Sequence, residues 1–453
     1  MDWKNQKVLV IGLARSGIAA ARLLLQAGAV PYLNDSRGAE KFGEVFEELK
    51  SLQCPLHLGE DPIPLLDQVD AVVISPGVPV QAPVVKAAQA KGLPLIGELE
   101  LAFQLSRGDM VAVTGTNGKT TTVSLLGEIF KNAGKVTHVV GNIGYPYSLA
   151  AMEARDEDMT VCEVSSFQLE TTQTFRPRVA AVLNITEDHL NRHGTMEEYI
   201  RLKARIFEGQ QAGDTAVLNF DDPTLQEMAA GIKNKVIWFS RTQAVPMGAY
   251  GEEGKILCTI GGSPKVIADC DEIYIPGPHN LENALAAVCV AAAMGVPAPV
   301  IRHTLRTFKG VEHRIEFVRT LDEITYLNDS KGTNVDSTLK AIQTMKTPTV
   351  IILGGYDKHC DFAPLAEEMV RSPYMAQAML IGETAPQIEK ALKASGYDRI
   401  HHAATMQEAV EASRALASAG GTVLLSPACA SFDMFKDYEE RGRVFKDIVN
   451  QLT

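Results

Sequence analysis

Short apolar segments of strand character alternate with helical stretches in three successive blocks of this chain. The first block runs from the strand KVLVIG through a glycine turn and the apolar-periodic helix IAAARLLLQAG to a second strand, VPYLND. This order is typical of a βαβ unit, in which a helix connects two parallel strands. The later blocks open with DMVAVTG and EITYLND and repeat the alternation. We therefore expect an α/β fold with three domains in series, each built on a mostly parallel sheet with helices on its faces.

The length of the chain agrees with this number of domains. Its 453 residues are too many for a single core, and a typical size of about 150 residues per domain predicts roughly three. We expect a Rossmann-like first domain, a P-loop ATPase-like central domain and a Rossmann-like third domain. The changes between blocks predict domain ranges of 1–97, 98–310 and 311–453.

Composition and charge argue against several classes of protein. A chain that is 46% hydrophobic and 22% charged is typical of a globular enzyme. Its net charge of -12 disfavours nucleic-acid binding, because there is no basic excess to neutralise phosphates. The longest apolar run, ALAAVCVAAAMGV, is shorter than a membrane span, and the 7 cysteines include no C-x-x-C pair. We expect a cytoplasmic protein that binds neither membrane nor nucleic acid.

The segment GTNGKTTT lies between the strand DMVAVT and the helical stretch VSLLGEIF. Its two glycines allow backbone N–H groups to turn inward around an anion, and the start of the helix favours negative charge. Lys119 is expected to reach the terminal phosphates of a nucleotide, and Thr120 or Thr121 to offer a hydroxyl to magnesium. Val113 stands where the usual spacing has a glycine, so the loop is a shortened version. The alternative, a glycine turn beside an exposed lysine, is disfavoured by the strand, loop and helix order.

The first block contains a different glycine turn, GLARSG, which begins at Gly12. A dinucleotide fingerprint needs a glycine where Ala14 stands, so that the pyrophosphate approaches the backbone closely. A redox cofactor is therefore disfavoured, although Asp35 at the end of the second strand is able to bind a ribose hydroxyl or a base. The turn from Ser75 to Gly77 follows another strand, and such turns line the ligand crevice of an open α/β sheet.

Two side chains of the central block are candidates for a phosphate site. Glu163 gives the apolar strand MTVCEV an acid on a side that would otherwise be buried. It is either a magnesium ligand or an acid on the surface of an edge strand. His189, in NITEDHLNRHG, follows another strand, although a loop histidine is often simply solvated.

Lys203 lies in the middle of the apolar face of a predicted helix, TMEEYIRLKARIFEG. The helix opens with Thr195 and Glu198 in capping-box spacing. Either the lysine stem lies on the core while its ammonium reaches solvent, or burial lowers its pKa and leaves a nucleophilic neutral amine. Such an amine can add carbon dioxide and become a carbamate, an anion able to bind a metal.

Polar side chains follow three strands of the third block: Lys331 in NDSKGTN, Lys358 in LGGYDKHCDF and Ser431 in LLSPACASFDMFKDYEERG. Two lysines and a hydroxyl at the strand ends of one sheet are able to clamp a carboxylate. Each one alone would be an ordinary surface residue. Cys429 is expected to be a packed thiol, because no histidine is near it in sequence.

Together, GTNGKTTT, EVSSFQLE, NITEDHLNRH, NDSKGTN and LLSPACASFDMFKDYEERG resemble the motifs of the Mur ligases, in order and across all three blocks. Within that family the resemblance is to the branch that adds D-glutamate. It implies an ATP-dependent, amide-forming enzyme of peptidoglycan precursor synthesis, whose substrates are UDP-N-acetylmuramoyl-L-alanine and D-glutamate and whose intermediate is an acyl phosphate. It also implies ATP and magnesium, with two ions, as cofactors, and we expect a monomer.

The resemblance assigns roles to individual residues. It implies that the catalytic residues are Lys119, Glu163, His189 and carbamylated Lys203, and that the metal is held by Thr120, Glu163, His189 and Lys203. The implied ATP-binding residues are Gly115, Thr116, Asn117, Gly118, Lys119, Thr120, Thr121, Asn280, Asn283, Arg314 and Asp329. The implied contacts to the UDP substrate are Ser16, Asp35, Ser36, Arg37, Gly77, Asn142 and His189, with Asn142 at its acyl end. The implied D-glutamate contacts are Lys331, Thr333, Lys358, Ser431, Phe432 and Tyr438. Tyr438 stands where a phenylalanine is expected, and the LGGYDKH segment varies in the family.

Three other interpretations are open at this point. One is a related ligase with a different acceptor, such as L-alanine, a diamino acid, a dipeptide or a folate, although the lysine in NDSKGTN favours a free dicarboxylate. A second is a P-loop regulatory protein that forms no bond, which the absence of a guanine-reading N-K-x-D motif disfavours. A nicotinamide dehydrogenase is disfavoured by Ala14.

Overall fold

The computed structural model describes residues 2–43, 45–142, 145–275, 277–356 and 360–453. In these residues three sheets of five, nine and six strands follow one another along the chain. Helices connect most of the strands, as the alternating sequence pattern predicts. The predicted α/β fold, with three domains in series on mostly parallel sheets, is confirmed.

The first sheet is entirely parallel and has the strand order of a Rossmann-like domain. Its elements are β1 (Lys7–Ile11), α1 (Arg15–Gln26), β2 (Val30–Asp35), α2 (Val45–Ser51), β3 (Leu56–Leu58), β4 (Ala71–Ile74), α3 (Pro83–Ala90), β5 (Leu95–Gly97) and α4 (Glu98–Leu105). The order β3-β2-β1-β4-β5 changes direction between β1 and β4. A ligand crevice is expected at the carboxyl ends of these two strands.

The second sheet combines a parallel part with an antiparallel extension. Its elements are β6 (Asp109–Thr114), α5 (Lys119–Asn132), β7 (Thr137–Gly141), α6 (Tyr147–Ala151), β8 (Met159–Glu163), α7 (Ser166–Leu169), β9 (Val179–Val182), α8 (Leu190–His193), α9 (Met196–Ala204), β10 (Thr215–Asn219), α10 (Pro223–Ala229), β11 (Lys235–Ser240), β12 (Gly248–Glu252), β13 (Lys255–Cys258), β14 (Lys265–Asp269), α11 (Pro278–Ala293) and α12 (Ala298–Thr307). The order is β14-β13-β12-β11-β10-β9-β6-β8-β7, and only the pairs of β12 with β13 and of β13 with β14 are antiparallel. β6 therefore lies between β8 and β9, well inside the sheet.

The third sheet is parallel except for one edge strand. Its elements are β15 (Glu316–Leu321), β16 (Ile324–Asn328), α13 (Val335–Thr344), β17 (Thr349–Leu353), α14 (Ala363–Arg371), β18 (Met375–Leu380), α15 (Ala385–Ala394), β19 (Ile400–His402), α16 (Met406–Leu416), β20 (Thr422–Leu425) and α17 (Tyr438–Gln451). The order is β15-β16-β20-β17-β18-β19, with β15 antiparallel to β16. The turns that carry the predicted acceptor residues follow the neighbouring strands β16 and β20.

The chain forms two compact units, residues 1–273 with 281–307 and residues 274–280 with 308–453. The first unit contains the first and second sheets, and the second unit contains the third. The predicted boundary at residues 310 and 311 lies three residues after the final change of unit at Phe308, whereas the boundary at residues 97 and 98 lies inside the first unit. Both boundaries stay predictions.

Two buried glutamates of α4 attach the first sheet to the second. Glu98 accepts a hydrogen bond from the backbone N–H of Ser148 at 2.7 Å. Glu100 accepts hydrogen bonds from the backbone N–H groups of Gln173, Thr174 and Phe175 at 2.8 to 3.1 Å. Both acids are at most 1% exposed, and the apolar core beneath them is shared by the two sheets. Buried carboxylates with such partners resist separation, because breaking the bonds would leave charges unsatisfied.

Candidate active site

The phosphate-type loop connects the end of β6 to the start of α5. Gly115 and Gly118 have φ values of 146° and 84°, which side-chain-bearing residues rarely adopt. A side chain at Gly118 would also collide with Asn283 of α11. The loop is fixed to the end of β9, where Asn184 accepts from the N–H of Asn117 at 2.9 Å and donates to its carbonyl at 3.1 Å. The geometry is that of a strand, a glycine loop and a helix start, as an anion site requires.

Two lysines donate to the same backbone carbonyl of this loop. Lys119 Nζ lies 2.8 Å from the oxygen of Gly115 and 2.7 Å from that of Thr116. Lys203 Nζ also lies 2.8 Å from the oxygen of Gly115, although α9 is distant from the loop in sequence. Lys203 is 1% exposed, which excludes the alternative in which its ammonium reaches solvent. Burial, and then the charge of Lys119, lower the pKa of Lys203 well below its ordinary value.

Glu163 ends β8, directly beside the loop strand. It pairs with Val113 of β6 on one side and with Gly141 of β7 on the other, so it lies on an interior strand. Its side chain is 2% exposed, and the alternative of an edge-strand surface acid is therefore wrong. Asn142 Nδ2 donates to Glu163 Oε1 at 3.0 Å, whereas Oε2 is buried without a hydrogen-bond partner among the described residues.

The unpaired Glu163 oxygen is the observation that tests whether these residues fit a metal. A buried carboxylate oxygen without a donor is costly, and a divalent cation would satisfy it. Oxygen ligands are the ones that magnesium prefers, and Thr120 lies in the first turn of α5, directly after the loop. The residues present therefore fit a magnesium ion held by Glu163, together with the hydroxyl of Thr120.

His189 is joined to the same region through its own loop. Its backbone has φ 55°, and its ring lies 4.8 Å from the ring of Phe167. Burial lowers the pKa of His189, the charge of Asp188 opposes this shift, and the charges of Lys119 and Lys203 reinforce it. The charges of both lysines therefore favour the neutral form of His189.

A cavity of about 330 Å³ opens at the switch point of the first sheet and extends to the second. Five of the residues predicted to bind the UDP substrate line it: Ser16, Asp35, Arg37, Gly77 and Asn142. Ser36 and His189, also predicted there, are not among its lining residues. The sequence analysis did not single out Gln168 of α7, which lines the cavity beside Asn142.

Asp35 already has several hydrogen-bond partners within the protein. Its carboxylate accepts from the N–H of Leu13 at 2.7 Å and from the backbone and guanidinium of Arg37 at 2.9 Å. Burial alone raises the pKa of Asp35, but the bonds from Arg37 and Leu13 outweigh it and hold the pKa below its ordinary value. Asp35 therefore fixes the glycine turn and orients Arg37 toward the cavity.

The remaining predicted ATP-binding residues fall in two places. Asn280 and Asn283 are both buried in the first turns of α11, and Asn283 Oδ1 accepts from Thr122 of α5 at 3.3 Å. Arg314 precedes β15 and Asp329 follows β16, and their charged groups are 3.8 Å apart. Burial raises the pKa of Asp329, against the charge of Arg314.

Of the predicted acceptor residues, Lys331 and Thr333 follow β16, Ser431 and Phe432 follow β20, and Tyr438 begins α17. Lys331 Nζ is 5.4 Å from the centre of the Tyr438 ring. Ser431 is buried, whereas Phe432 is exposed and lies 6.1 Å from the ring of Tyr356. Thr333 is in the same turn as Lys331, and its N–H donates to the carbonyl of Lys331. Lys358 lies outside the described residues.

Arg441 of α17 connects these two turns and was missed by the sequence analysis. Its guanidinium donates to the hydroxyl and carbonyl of Ser330 at 3.0 and 2.8 Å, and to the carbonyls of Cys429 and Ala430 at 3.1 and 3.2 Å. Burial lowers the pKa of Arg441 to about 10. Burial also raises the pKa of Cys429 to about 11, in agreement with the predicted packed thiol.

Replacing Arg441 by Met is expected to lower the free energy of unfolding by about 3 kcal/mol, because four buried acceptors lose a charged donor. Urea unfolding followed by circular dichroism measures this change. Arg443→Met is the matched control, since Arg443 lies on the same helix with a side chain 57% exposed. Equal stability of the two variants would contradict the structural role of Arg441.

One further group of potential metal ligands lies in the second unit. Glu312, His313 and Glu316 place ligand atoms within 4.8 Å of one another. Lys446 donates to both glutamates, however, and forms a salt bridge with each of them. This cluster is therefore accounted for by internal salt bridges.

Three models of known protein families match three successive parts of the chain. The family models for the Mur ligase MurD-like N-terminal domain, the Mur ligase middle domain and the Mur ligase glutamate ligase domain match residues 6–97, 113–291 and 313–429. The UDP-N-acetylmuramoylalanine--D-glutamate ligase of Thermoanaerobacter sp. (strain X514) is 48% identical over 458 residues, covering 100% of both chains. The chain belongs to the Mur ligase family. It is therefore an ATP-dependent, amide-forming enzyme, and the predicted resemblance is confirmed.

Further relatives of this Mur ligase agree in sequence and in fold. The protein with the same name from Clostridioides difficile (strain 630) is 47% identical over 454 residues, with 100% coverage of both chains. UDP-N-acetylmuramate-alanine ligase MurC from Thermotoga maritima has a TM-score of 0.62 at 18% identity, over 98% of this chain and 99% of that one. MurF ligase from Thermotoga maritima in complex with ADP has a TM-score of 0.60 at 16% identity, over 100% and 99%. These solved structures show the shared fold.

The described part of this Mur ligase was also searched for membrane-spanning helices. None of its helices combines the length and the apolar character that crossing a bilayer requires.

Proposed function

We propose that this Mur ligase joins UDP-N-acetylmuramoyl-L-alanine to D-glutamate at the expense of ATP, in cytoplasmic synthesis of peptidoglycan precursors, and that it acts as a monomer. The observation that carries the proposal is the combination, in one compact unit, of a phosphate-type loop with buried Lys203 and Glu163 and a crevice lined by Asp35 and Asn142. Relatives with the corresponding name support the choice of substrates.

In the first half of the proposed reaction, the terminal carboxylate of the nucleotide substrate attacks the γ-phosphorus of ATP. The bond to ADP breaks, and an acyl phosphate forms. The N–H groups of the loop and Lys119 hold the phosphates in line with the attacking carboxylate, which Asn142 orients. The adenine, ribose and phosphate contacts proposed for this step also include Asn280, Asn283, Arg314 and Asp329.

Lys203 has a separate proposed role, as a carbamate. Burial lowers the pKa of its amine, which favours the neutral form that attacks carbon dioxide; the nitrogen then loses a proton and the group becomes an anion. With Thr120, Glu163 and His189 it would hold magnesium, for which we propose two ions. Bound magnesium would neutralise the charge that develops on the transferred phosphoryl oxygens.

In the second half, the amine of D-glutamate attacks the acyl carbon, phosphate leaves through a tetrahedral intermediate, and the nitrogen loses a proton. D-glutamate is proposed to bind Lys331, Thr333, Lys358, Ser431, Phe432 and Tyr438. Two observations support this placement of the acceptor. The ring of Tyr438 lies beside Lys331, and Arg441 donates hydrogen bonds to both turns.

A coupled assay of phosphate release tests the proposed substrates. Phosphate is expected from ATP only when UDP-N-acetylmuramoyl-L-alanine and D-glutamate are both present, because neither half-reaction turns over alone. The acceptor is then varied to L-alanine, a diamino acid and a folate, with all other components fixed. Equal phosphate release without either substrate would contradict the ligase proposal, and a preference for another acceptor would contradict the choice of D-glutamate.

A further inference from the structure

Tyr199 of α9 lies between Lys203 and the phosphate loop of the first unit. Its side chain is 1% exposed. The ring centre lies 4.5 Å from Lys203 Nζ, and the hydroxyl lies 3.2 Å from Oγ1 of Thr116 in the phosphate loop. One rigid side chain therefore contacts both Lys203 and the loop.

Thr116 Oγ1 is held by several hydrogen bonds at the loop. It lies 3.1 Å from the carbonyl oxygen of Thr186 and accepts from the N–H of Thr186 at 3.0 Å. In its bond with Tyr199 either hydroxyl is able to donate. This bond adds a third contact at the point where the loop is attached to the segment that leads to His189.

The ring of Tyr199 is itself held in place. His193 stacks on it, with ring centres 5.5 Å apart and planes inclined by 27°. His193 is in turn fixed by Ser166 at 3.0 Å and lies 3.5 Å from a carboxylate oxygen of Glu170. Because His193 and Tyr199 are both buried, neither ring has room to turn away.

We propose that Tyr199 is a positioning residue that sets Lys203 against the phosphate loop. Its ring fixes the amine of Lys203 where the carbamate forms, and its hydroxyl fixes Thr116 where the nucleotide phosphates bind. The role toward Lys203 rests on the carbamate proposed above, whereas the role toward Thr116 rests only on nucleotide binding.

Two substitutions separate these roles. Tyr199→Phe removes only the bond to Thr116, and we expect the KM for ATP to rise about fivefold, as the loss of one hydrogen bond implies, with the Lys203 carbamate retained. Tyr199→Leu also removes the ring, and we expect the bicarbonate concentration for half-maximal activity to rise about tenfold as the carbamate is lost. The carbamate is measured directly by ¹³C NMR after labelling with ¹³C-bicarbonate, and excess bicarbonate should partly restore turnover in Tyr199→Leu.

Tyr326→Phe is the matched control, because Tyr326 is a buried tyrosine of the third sheet, remote from the loop in sequence. It should leave the KM for ATP and the carbamate signal unchanged. Equal KM and equal carbamate signals in the wild type and both Tyr199 variants would overturn the inference. A strong carbamate signal in Tyr199→Leu would overturn the role toward Lys203 alone. The absence of any signal in the wild type would overturn the carbamate itself together with that role.

Discussion

Replacing Lys203 by Ala is expected to reduce turnover by about 10³-fold, with little change in the fold. Lys203 is buried beside the phosphate loop, and its truncation removes the anion proposed to hold magnesium there. Initial rates of phosphate release with saturating substrates measure the loss.

The cavity left by the lysine side chain allows a chemical rescue. Short carboxylates such as formate or acetate should enter it, replace the carbamate and restore part of the activity of Lys203→Ala. Lys131→Ala is the matched control, because Lys131 lies on α5 with a side chain 50% exposed and pairs with Glu128. Turnover near that of the wild type in Lys203→Ala would refute the carbamate role.

Replacing Glu163 by Gln is expected to lower kcat by about 10²-fold and to raise the magnesium concentration needed for half-maximal activity. The amide has the same shape, and its oxygen can still accept from Asn142. It cannot supply a negative oxygen at the position of the unpaired Oε2. The loss of activity should therefore result from weaker magnesium binding and not from altered packing.

Initial rates measured across magnesium concentrations test this prediction, and thermal unfolding with and without magnesium gives an independent readout. Glu157→Gln is the control, since Glu157 is exposed just before β8. If Glu163→Gln had the magnesium dependence of the wild type, Glu163 would not be a metal ligand.

Much of the architecture is predictable from sequence because the alternation of strands and helices is local. The phosphate loop is predictable for the same reason, since its strand, glycines, lysine and helix are consecutive. The extension of the second sheet by β12, β13 and β14 was not predicted. These strands are short and carry polar residues such as Lys255 and Lys265, so their apolar pattern is weak.

Contacts between distant parts of the chain are harder to predict. Arg441 binds Ser330, 111 residues away, and nothing in the polar segment DYEERG distinguishes its fully buried arginine from its only partly buried acidic neighbours. Tyr199 is predictable as an apolar-face residue of α9, but its bond to Thr116 depends on how the helix packs on the loop. The burial of Glu163 likewise depends on β8 lying between β6 and β7, which the order of segments does not reveal.

The attachment made by Glu98 and Glu100 also bears on how the nucleotide substrate is chosen. These residues and the shared core hold the crevice of the first sheet and the phosphate loop in a fixed position relative to each other. The distance from the crevice to the phosphate loop is then fixed, and the substrate has to be long enough to bridge it. We expect the first unit to act as a molecular ruler, selecting nucleotide sugars by the distance from their uridine to their carboxylate.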